Sequence, residues 1–219
     1  HDLKTPLTPL VAILPVIRKR VTDPEICELL DVSIEDVSSI KAMISTILDL
    51  ARMNALYTVS DLQEIVLYDA LEQIIADNTY LIHQKSLMVL NQIPPGLSIL
   101  ISPVHLETLM TNLIGNAVKY SFIDGSIYIS AYEKNESVVV IIRDEGIGIE
   151  PDVLPRIFDA FYRADISRHD RESHGLGLAI AQRVADIYGG IIRAESPGAG
   201  LGSTFSVQLK KDIRKRLYP

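Results

Sequence analysis

Apolar residues recur at two different periods along this chain, and the change of period divides it. At the start the steps are three and four residues: Leu3, Leu7, Leu10, Val11, Leu14 and Ile17 gather on one side of a helix that ends in Arg18, Lys19 and Arg20, where cations favour the negative end of the helix dipole. Pro6, Pro9 and Pro15 interrupt it. An interior proline deletes a hydrogen bond and bends the axis, so a kink is expected. Asp23 as cap and Pro24 at the first position open a second helix. Ile26, Leu29, Leu30, Ile34, Val37, Ile40, Ile44, Ile47, Leu48 and Ala51 carry its nearly unbroken stripe. A helix of roughly thirty residues is about 45 Å long, whereas residues 1–20 supply only about 30 Å. The spacing predicts an antiparallel hairpin whose first helix begins upstream of His1. Two helices cannot bury so wide an apolar face alone, so a second copy of the chain is expected to complete a two-fold four-helix bundle.

Beyond a short linker at 56–60 the pattern shortens and alternates. It predicts a strand at 63–67, a helix at 68–84, and a β-hairpin with arms at 87–93 and 98–101 around Pro94-Pro95-Gly96. A helix from Pro103 to Ser121 follows, with Leu106, Leu109, Met110, Leu113 and Ala117 in one stripe. Strands at 126–132 and 138–143 flank the polar turn Glu133-Lys134-Asn135-Glu136; a helix at 176–188 precedes strands at 191–195 and 204–208. Helices on one face of a mostly antiparallel sheet make an α+β sandwich. The domain expectation is a helical hairpin at 1–55, the linker at 56–60, a ligand-binding domain at 61–212 and a tail at 213–219.

Composition narrows the class. Hydrophobic residues make up 47% and charged residues 22% of 219 residues, enough for one large domain or two small ones. The single cysteine, Cys27, excludes an internal disulfide, fits a reducing compartment, and is expected to be buried. A net charge of −7 without a broad basic stripe argues against nucleic acid as partner; the basic cluster of Lys210, Lys211, Arg214, Lys215 and Arg216 reads as a solvated end. Residues 86–106 lack Asp, Glu, Lys and Arg and are long enough to span a bilayer, but Asn91, Gln92, Pro94, Pro95 and Gly96 break the run. The charged, proline-containing opening does not read as a signal peptide.

The candidate chemistry begins on the helix from Pro103. Asn112 and Asn116 lie one turn apart and, with Lys119, can be aimed at one ligand; asparagine is a mediocre helix former, so helix stability did not select them. Immediately after a buried-looking strand comes Asp144-Glu145-Gly146-Ile147-Gly148-Ile149. The carboxylate at the strand's end can accept a hydrogen bond from an amino group such as adenine's, and the glycines let a ligand approach the backbone. A second glycine set, Gly175-Leu176-Gly177, opens a helix, whose free N–H groups suit phosphate. The polar stretch at 159–173 between the two sets has the length of a lid.

In order along the chain, the asparagine motif, Asp144-Glu145-Gly146-Ile147-Gly148, Ile157-Phe158-Asp159-Ala160-Phe161-Tyr162-Arg163, Gly175-Leu176-Gly177-Leu178 and Gly202-Ser203-Thr204-Phe205 resemble the ATP-binding domain of sensor histidine kinases. That domain belongs to the superfamily of gyrase, heat-shock chaperone, histidine kinase and mismatch-repair ATPases, the Bergerat fold. The resemblance implies that Asn116 holds Mg²⁺ through its side-chain oxygen and that Asp144 bonds the adenine amino group. It also implies that Asn112, Lys119 and Tyr120 line the phosphate or base side. Gly146, Gly148, Gly175, Leu176 and Gly177 would give backbone access, Phe158 and Phe161 would anchor the lid, Phe161 and Arg163 would be among the nucleotide-binding residues, and Thr204 would close the pocket floor. Hydrolysing members of the superfamily carry Glu at the position of Asn112. An amide cannot abstract a proton from water at neutral pH, so transfer to a protein nucleophile is expected instead.

That nucleophile is His1. The run His1-Asp2-Leu3-Lys4-Thr5-Pro6-Leu7 resembles the phosphoacceptor motif of the dimerisation helix, with Asp2 taking the imidazole's other proton and Thr5 orienting water for dephosphorylating a partner. His83, His105, His169 and His174 match no such motif and are read as structural or lid residues. The implied protein is a cytoplasmic homodimeric kinase, attached to a membrane only through parts outside this chain, that hands its phosphoryl group to an Asp of a response-regulator receiver domain and has phosphatase activity toward it. The alternative is a nucleotide-gated signalling or phosphatase module with impaired autokinase activity, because Glu172-Ser173-His174 is bulkier than the family's usual glycine-rich segment.

Overall fold

The computed structural model describes residues 7–55, 61–162 and 175–213. They belong to two compact units, a helical hairpin and an α/β domain. The hairpin is α1 (Leu7–Arg18) packed on α2 (Pro24–Ala55). Pro9 falls in the first turn of α1, where an N–H has no partner to lose. Pro15 lies inside the helix, and the ladder resumes with Lys19 N–H donating to Pro15 O at 3.2 Å. The expected cap is present: Asp23 Oδ1 accepts from the N–H groups of Glu25 at 3.0 Å and Ile26 at 3.3 Å. Across the turn, Arg18 grips Asp31 with both arms of its guanidinium, at 2.7 and 2.9 Å. Cys27 corrects an expectation: it is half-buried, with Sγ donating to Val21 O at 3.3 Å, because it sits over the open inter-helix turn and not in a closed core.

The α/β domain contains β1 (Gln63–Val66), α3 (Leu67–Asp77), α4 (Thr79–Gln84), β2 (Met88–Asn91), β3 (Ser98–Ile101), α5 (Pro103–Tyr120), β4 (Ser126–Lys134), β5 (Ser137–Asp144), α6 (Gly177–Ile187), β6 (Ile191–Glu195) and β7 (Ser203–Lys210). The main sheet has the order β2-β4-β5-β7-β6, with β2 parallel to β4 and all other pairs antiparallel; β1 and β3 form a separate antiparallel pair.

Two expectations change. The helix placed at 68–84 is two helices, because Asn78 Nδ2 takes the Ile74 carbonyl at 2.8 Å and Thr79 Oγ1 takes that of Ala76 at 2.5 Å. Such side chains compete with the backbone ladder. The strands at 88–91 and 98–101 exist, but they do not pair with each other. Between them Leu97 N–H donates to Pro94 O with Gly96 at φ +82°, the signature of a turn with Pro and Gly in its centre. A turn of that hand splays its flanking strands, so β2 joins β4 and β3 joins β1.

The core lies between the main sheet and α3, α5 and α6. Strand alternation decides what reaches it: Val138, Val140, Ile142 and Asp144 of β5, and Ser203, Phe205, Val207 and Leu209 of β7, are buried on the helix side. The intervening residues Val139, Ile141, Thr204, Ser206 and Gln208 line a depression of about 240 Å³ on the other face. Among the described residues, no helix is long and apolar enough to cross a membrane.

Candidate functional site

The site is built on α5. Ser102 enters with extended backbone and Pro103 takes the first turn. Leu106, Leu109, Met110, Leu113, Ile114, Ala117 and Val118 bury one side of the helix, which leaves Asn112, Asn116, Lys119 and Tyr120 half-buried along its margin. Asn112 Nδ2 donates to Thr108 O at 2.7 Å. Its Oδ1 faces the first residue of α6, where a Cβ on Gly177 would come within 2.5 Å of it. Only glycine lets the two helices meet so closely, and the open N–H groups of the first turn of α6 therefore begin beside Asn112. Ahead of them in the chain, Gly175 has φ +65° and Leu176 is buried.

β5 delivers Asp144 to the other end of α5. The carboxylate is 4% exposed; Oδ2 accepts from Ser203 Oγ–H, and Oδ1 from Ser203 N–H at 3.3 Å. Burial raises the Asp144 pKa above its ordinary value of 3.8, and the donors on Ser203 and the Gly146 backbone oppose that rise without cancelling it. An ionised carboxylate is an acceptor-only group, the kind of partner that an amino group on a ligand requires. The glycine turn then closes on α5. Ile147 N–H donates to Tyr120 O at 3.0 Å, and Ser121 bridges Gly146. A side chain at Gly146 would meet Tyr120 O at 2.2 Å and Asp144 Oδ1 at 2.8 Å, so this position must lack a Cβ. Gly148 lies just beyond with φ +66°, and the Lys119 ammonium stands 5.7 Å from the centre of the Tyr120 ring.

These contacts form one continuous path: the α6 N-terminus, Asn112, the last turn of α5, Gly146, Asp144 and Ser203. Polar groups lie at both ends and amides between them, which is a layout for an elongated ligand with an amino-bearing ring at one end and an anion at the other. Among the described residues no group of three or more His, Cys, Asp or Glu is gathered for a metal. A hard cation here would have to take its oxygens from an incoming phosphate chain, water and a side-chain amide such as that of Asn116, the manner in which Mg²⁺ is usually held.

Two sequence expectations end differently. Thr204 lies on the open face of β7, while its neighbour Ser203 faces Asp144, opposite which it is registered. The signal was available, since Ser203 shares the parity of the buried Phe205, Val207 and Leu209 and Thr204 does not. Phe161 is 52% exposed with φ +67°, a conformation rare for an aromatic residue, and so is not a buried anchor; Phe158 is half-buried, and the Arg156 guanidinium stacks 4.3 Å from the Tyr162 ring. His1, Asp2, Thr5, Arg163, Ser173 and His174 lie outside the described residues. Sequence reasoning also left aside Glu145, whose carboxylate accepts from Ser126 N–H at 3.1 Å and ties the glycine turn to β4.

With that geometry in view, comparison with known proteins is specific. Residues 101–213 match the family described as histidine kinase-, DNA gyrase B-, and HSP90-like ATPase, and residues 1–56 match the His Kinase A (phospho-acceptor) domain. The chain is 29% identical to the signal transduction histidine-protein kinase AfsQ2 of Streptomyces coelicolor, over 97% of this chain and 40% of that protein. It is 31% identical to ArlS, a signal transduction histidine-protein kinase of Staphylococcus aureus, over 94% of this chain and 46% of that protein. It thus spans less than half the length of these curated relatives. Among solved structures, full-length ShkA in complex with AMPPNP superposes with a TM-score of 0.75 at 24% identity, covering 95% of this chain and 44% of that one. The histidine kinase AdeS of Acinetobacter baumannii gives 0.67 at 20% identity, covering 97% and 98%. At these identities the structures support the fold.

Proposed function

The chain belongs to the histidine kinase-, DNA gyrase B-, and HSP90-like ATPase family, as a sensor histidine kinase catalytic core, and from that premise we propose that it moves the γ-phosphoryl group of ATP to His1 and then to an aspartate of a receiver-domain partner. The observation that carries this reading is the path from the α6 N-terminus through Asn112 to the buried Asp144. Asp144 accepts the adenine amino group, Ser203 holds that carboxylate in place, and Lys119 and the N–H groups of α6 face the phosphates. Asn116 is the residue to hold Mg²⁺, which when bound neutralises phosphate charge.

Phosphoryl transfer asks for positioning and charge neutralisation more than for covalent chemistry. The imidazole nitrogen of His1 forms the bond to the γ-phosphorus as the bond to the β–γ bridging oxygen breaks, and ADP leaves. Asp2 takes the proton from the other ring nitrogen. Asn112 cannot act as a base toward water, so transfer is favoured over ATP hydrolysis, and Thr5 orients water for attack on the partner's aspartyl phosphate, which releases inorganic phosphate and the free carboxylate. The hairpin pairs with that of a second copy. The site of action is the cytoplasm.

Incubation with γ-labelled ATP, followed by acid and by base, tests the proposal. The expected label is acid-labile and base-stable, absent from His1→Gln although that variant still binds Mg·ATP, and absent from Asn116→Ala together with nucleotide binding. Label on isolated Asn116→Ala, or an acid-stable label, contradicts it.

A further inference from the structure

We propose that Lys85 is a positioning residue for the nucleotide site: its ammonium, entering from the corner between α4 and β2, closes the C-terminal end of α5 and fixes the turn carrying Asn116, Lys119 and Tyr120 against the glycine turn at Gly146. This rests on the nucleotide reading above. The last carbonyls of a helix have no partner within it, and a buried carbonyl without one is costly. In α5 each of them is accounted for. Ala117 O accepts from Ser121 N–H at 3.0 Å and Ser121 Oγ–H at 2.6 Å, and Tyr120 O accepts from Ile147 N–H. The remaining carbonyls, those of Val118, Lys119 and Ser121, all accept from Lys85 Nζ, the first and last at 3.2 and 3.0 Å.

An ammonium has three hydrogens, and here all three are used on one helix end. A single cation from a distant segment thus does what a C-terminal glycine motif does elsewhere, and its charge sits on the negative end of the α5 dipole. The backbone of the same residue is also engaged, since Lys85 O accepts from Asp124 N–H at 2.8 Å. The consequence reaches the site because the next links are ligand-facing. Tyr120 O holds Ile147, Ser121 bridges Gly146, and Phe122 N–H donates to Glu145 O at 3.2 Å. Releasing the last turn of α5 would loosen the wall that carries Asn116 from the wall that carries Asp144. Lys85 itself touches neither of those side chains, so its action is through α5. Its charged form is disfavoured first by burial and then by the nearby Lys119 charge, which marks a cation held for its bonds and not for solvation.

Calorimetric titration of the whole chain with Mg·ATP tests this on Lys85→Met, which keeps the apolar stem, and Lys85→Arg, which keeps the cation. Loss of the charge-assisted bonds predicts about tenfold weaker binding for Lys85→Met at a temperature where it is folded, with Lys85→Arg restored to within about twofold of the parent. Should Lys85→Met not fold, alkaline titration of the parent against Lys85→Arg decides. Lys119, Tyr120, Asp124 and Glu145, the other titratable groups on the segments joined there, are common to both proteins. The parent is expected to lose affinity earlier as pH rises, because arginine stays charged. Parent-like binding by Lys85→Met, or superimposable alkaline profiles, overturns the inference alone. A parent chain that takes up no Mg·ATP overturns both the inference and the nucleotide reading.

Discussion

The helical hairpin and the α/β domain solve the same problem to different degrees. In the α/β domain Leu71, Leu109, Met110, Leu113, Ile114 and Ile129 are fully removed from solvent, around a sheet covered on one face by helices. In the hairpin no described side chain is buried. Leu10, Ile13, Val16, Ile17, Ile26 and Leu29 are each at least 41% exposed. On α1 the residues turned toward α2, such as Val11 and Leu14, are half-covered, while Leu10, Ile13 and Ile17 form a second apolar stripe left to solvent. Contiguous exposed apolar surface of this kind marks an association site. One unit therefore carries its own core, and the described residues of the other do not close one.

The largest effect expected from that difference is on assembly. Lysine at both Ile13 and Leu29, positions 52% and 63% exposed, should cost a lone hairpin little, since exposed substitutions usually stay within about 0.5 kcal/mol. If a second copy covers these residues, each lysine must be desolvated, and dimer association should weaken by at least about a hundredfold. Sedimentation equilibrium reads this directly, and Mg·ATP binding by the self-contained domain should not change. A parent that sediments as a monomer, or a double variant that stays dimeric, would break the comparison.

A smaller effect separates ligand from fold inside the α/β domain. Burial raises the Asp144 pKa above 3.8, so between 3.8 and its folded value the native state binds more protons than the unfolded chain. Its contribution to stability is greatest below 3.8 and declines as pH rises through the folded pKa. Above that folded value the ionised carboxylate is a cost that the fold tolerates. Asp144→Asn removes that charge, and Ser203 Oγ can accept where it had donated. The melting temperature at pH 7 should therefore stay level or rise, while Mg·ATP affinity falls about ten- to a hundredfold through loss of a charged acceptor. A variant less stable than the parent would show that the carboxylate serves the fold.

How far the sequence reveals this molecule depends on how local each feature is. The cap at Asp23, the first-turn proline at Pro103, the stripe of α5 and the alternation of β5 follow from neighbours a few residues apart, and the structure has them. The family motifs make Asn112, Asn116 and Asp144 candidates for one set. What escapes is non-local or hinges on competition. The hand of the Pro-Pro-Gly turn overrode an apparent hairpin, Asn78 broke a helix whose apolar period continued, and nothing near Lys85 announces that it serves a helix end 33 to 36 residues away. Thr204 was misassigned although its strand's parity was legible, because a motif match fixes a neighbourhood and not a sheet face.

The smallest expected effect concerns a polar group sealed inside the self-sufficient unit, of a kind the described hairpin lacks. His105 of α5 is 9% exposed, and its Nδ1 lies 2.9 Å from Tyr188 Oη, which also accepts from Ser102 N–H at 3.0 Å. A phenol has one hydrogen; with its oxygen already accepting from Ser102, that hydrogen is available to Nδ1 of a neutral imidazole that carries its proton on Nε2. Protonation would place two N–H donors on one phenolic oxygen and leave the phenol's own hydrogen without that acceptor. Burial accordingly lowers the His105 pKa below 6.5, the negative charge of Asp61 opposing it in part. The unfolded chain then binds more protons than the native one between the folded value and 6.5. This contribution is full above 6.5 and is lost as pH falls from 6.5 through the folded pKa. Urea midpoints for the parent should fall between pH 7 and pH 5, and the slope should be shallower in His105→Gln, whose amide oxygen can accept from Tyr188 without titrating. The difference should be about 1 kcal/mol or less. Parallel slopes would assign the acid loss to other groups and leave the bond between His105 and Tyr188 indifferent to pH. A steeper slope in the variant would mean that His105 is more easily protonated in the fold than in the unfolded chain, against the burial that disfavours its charged form.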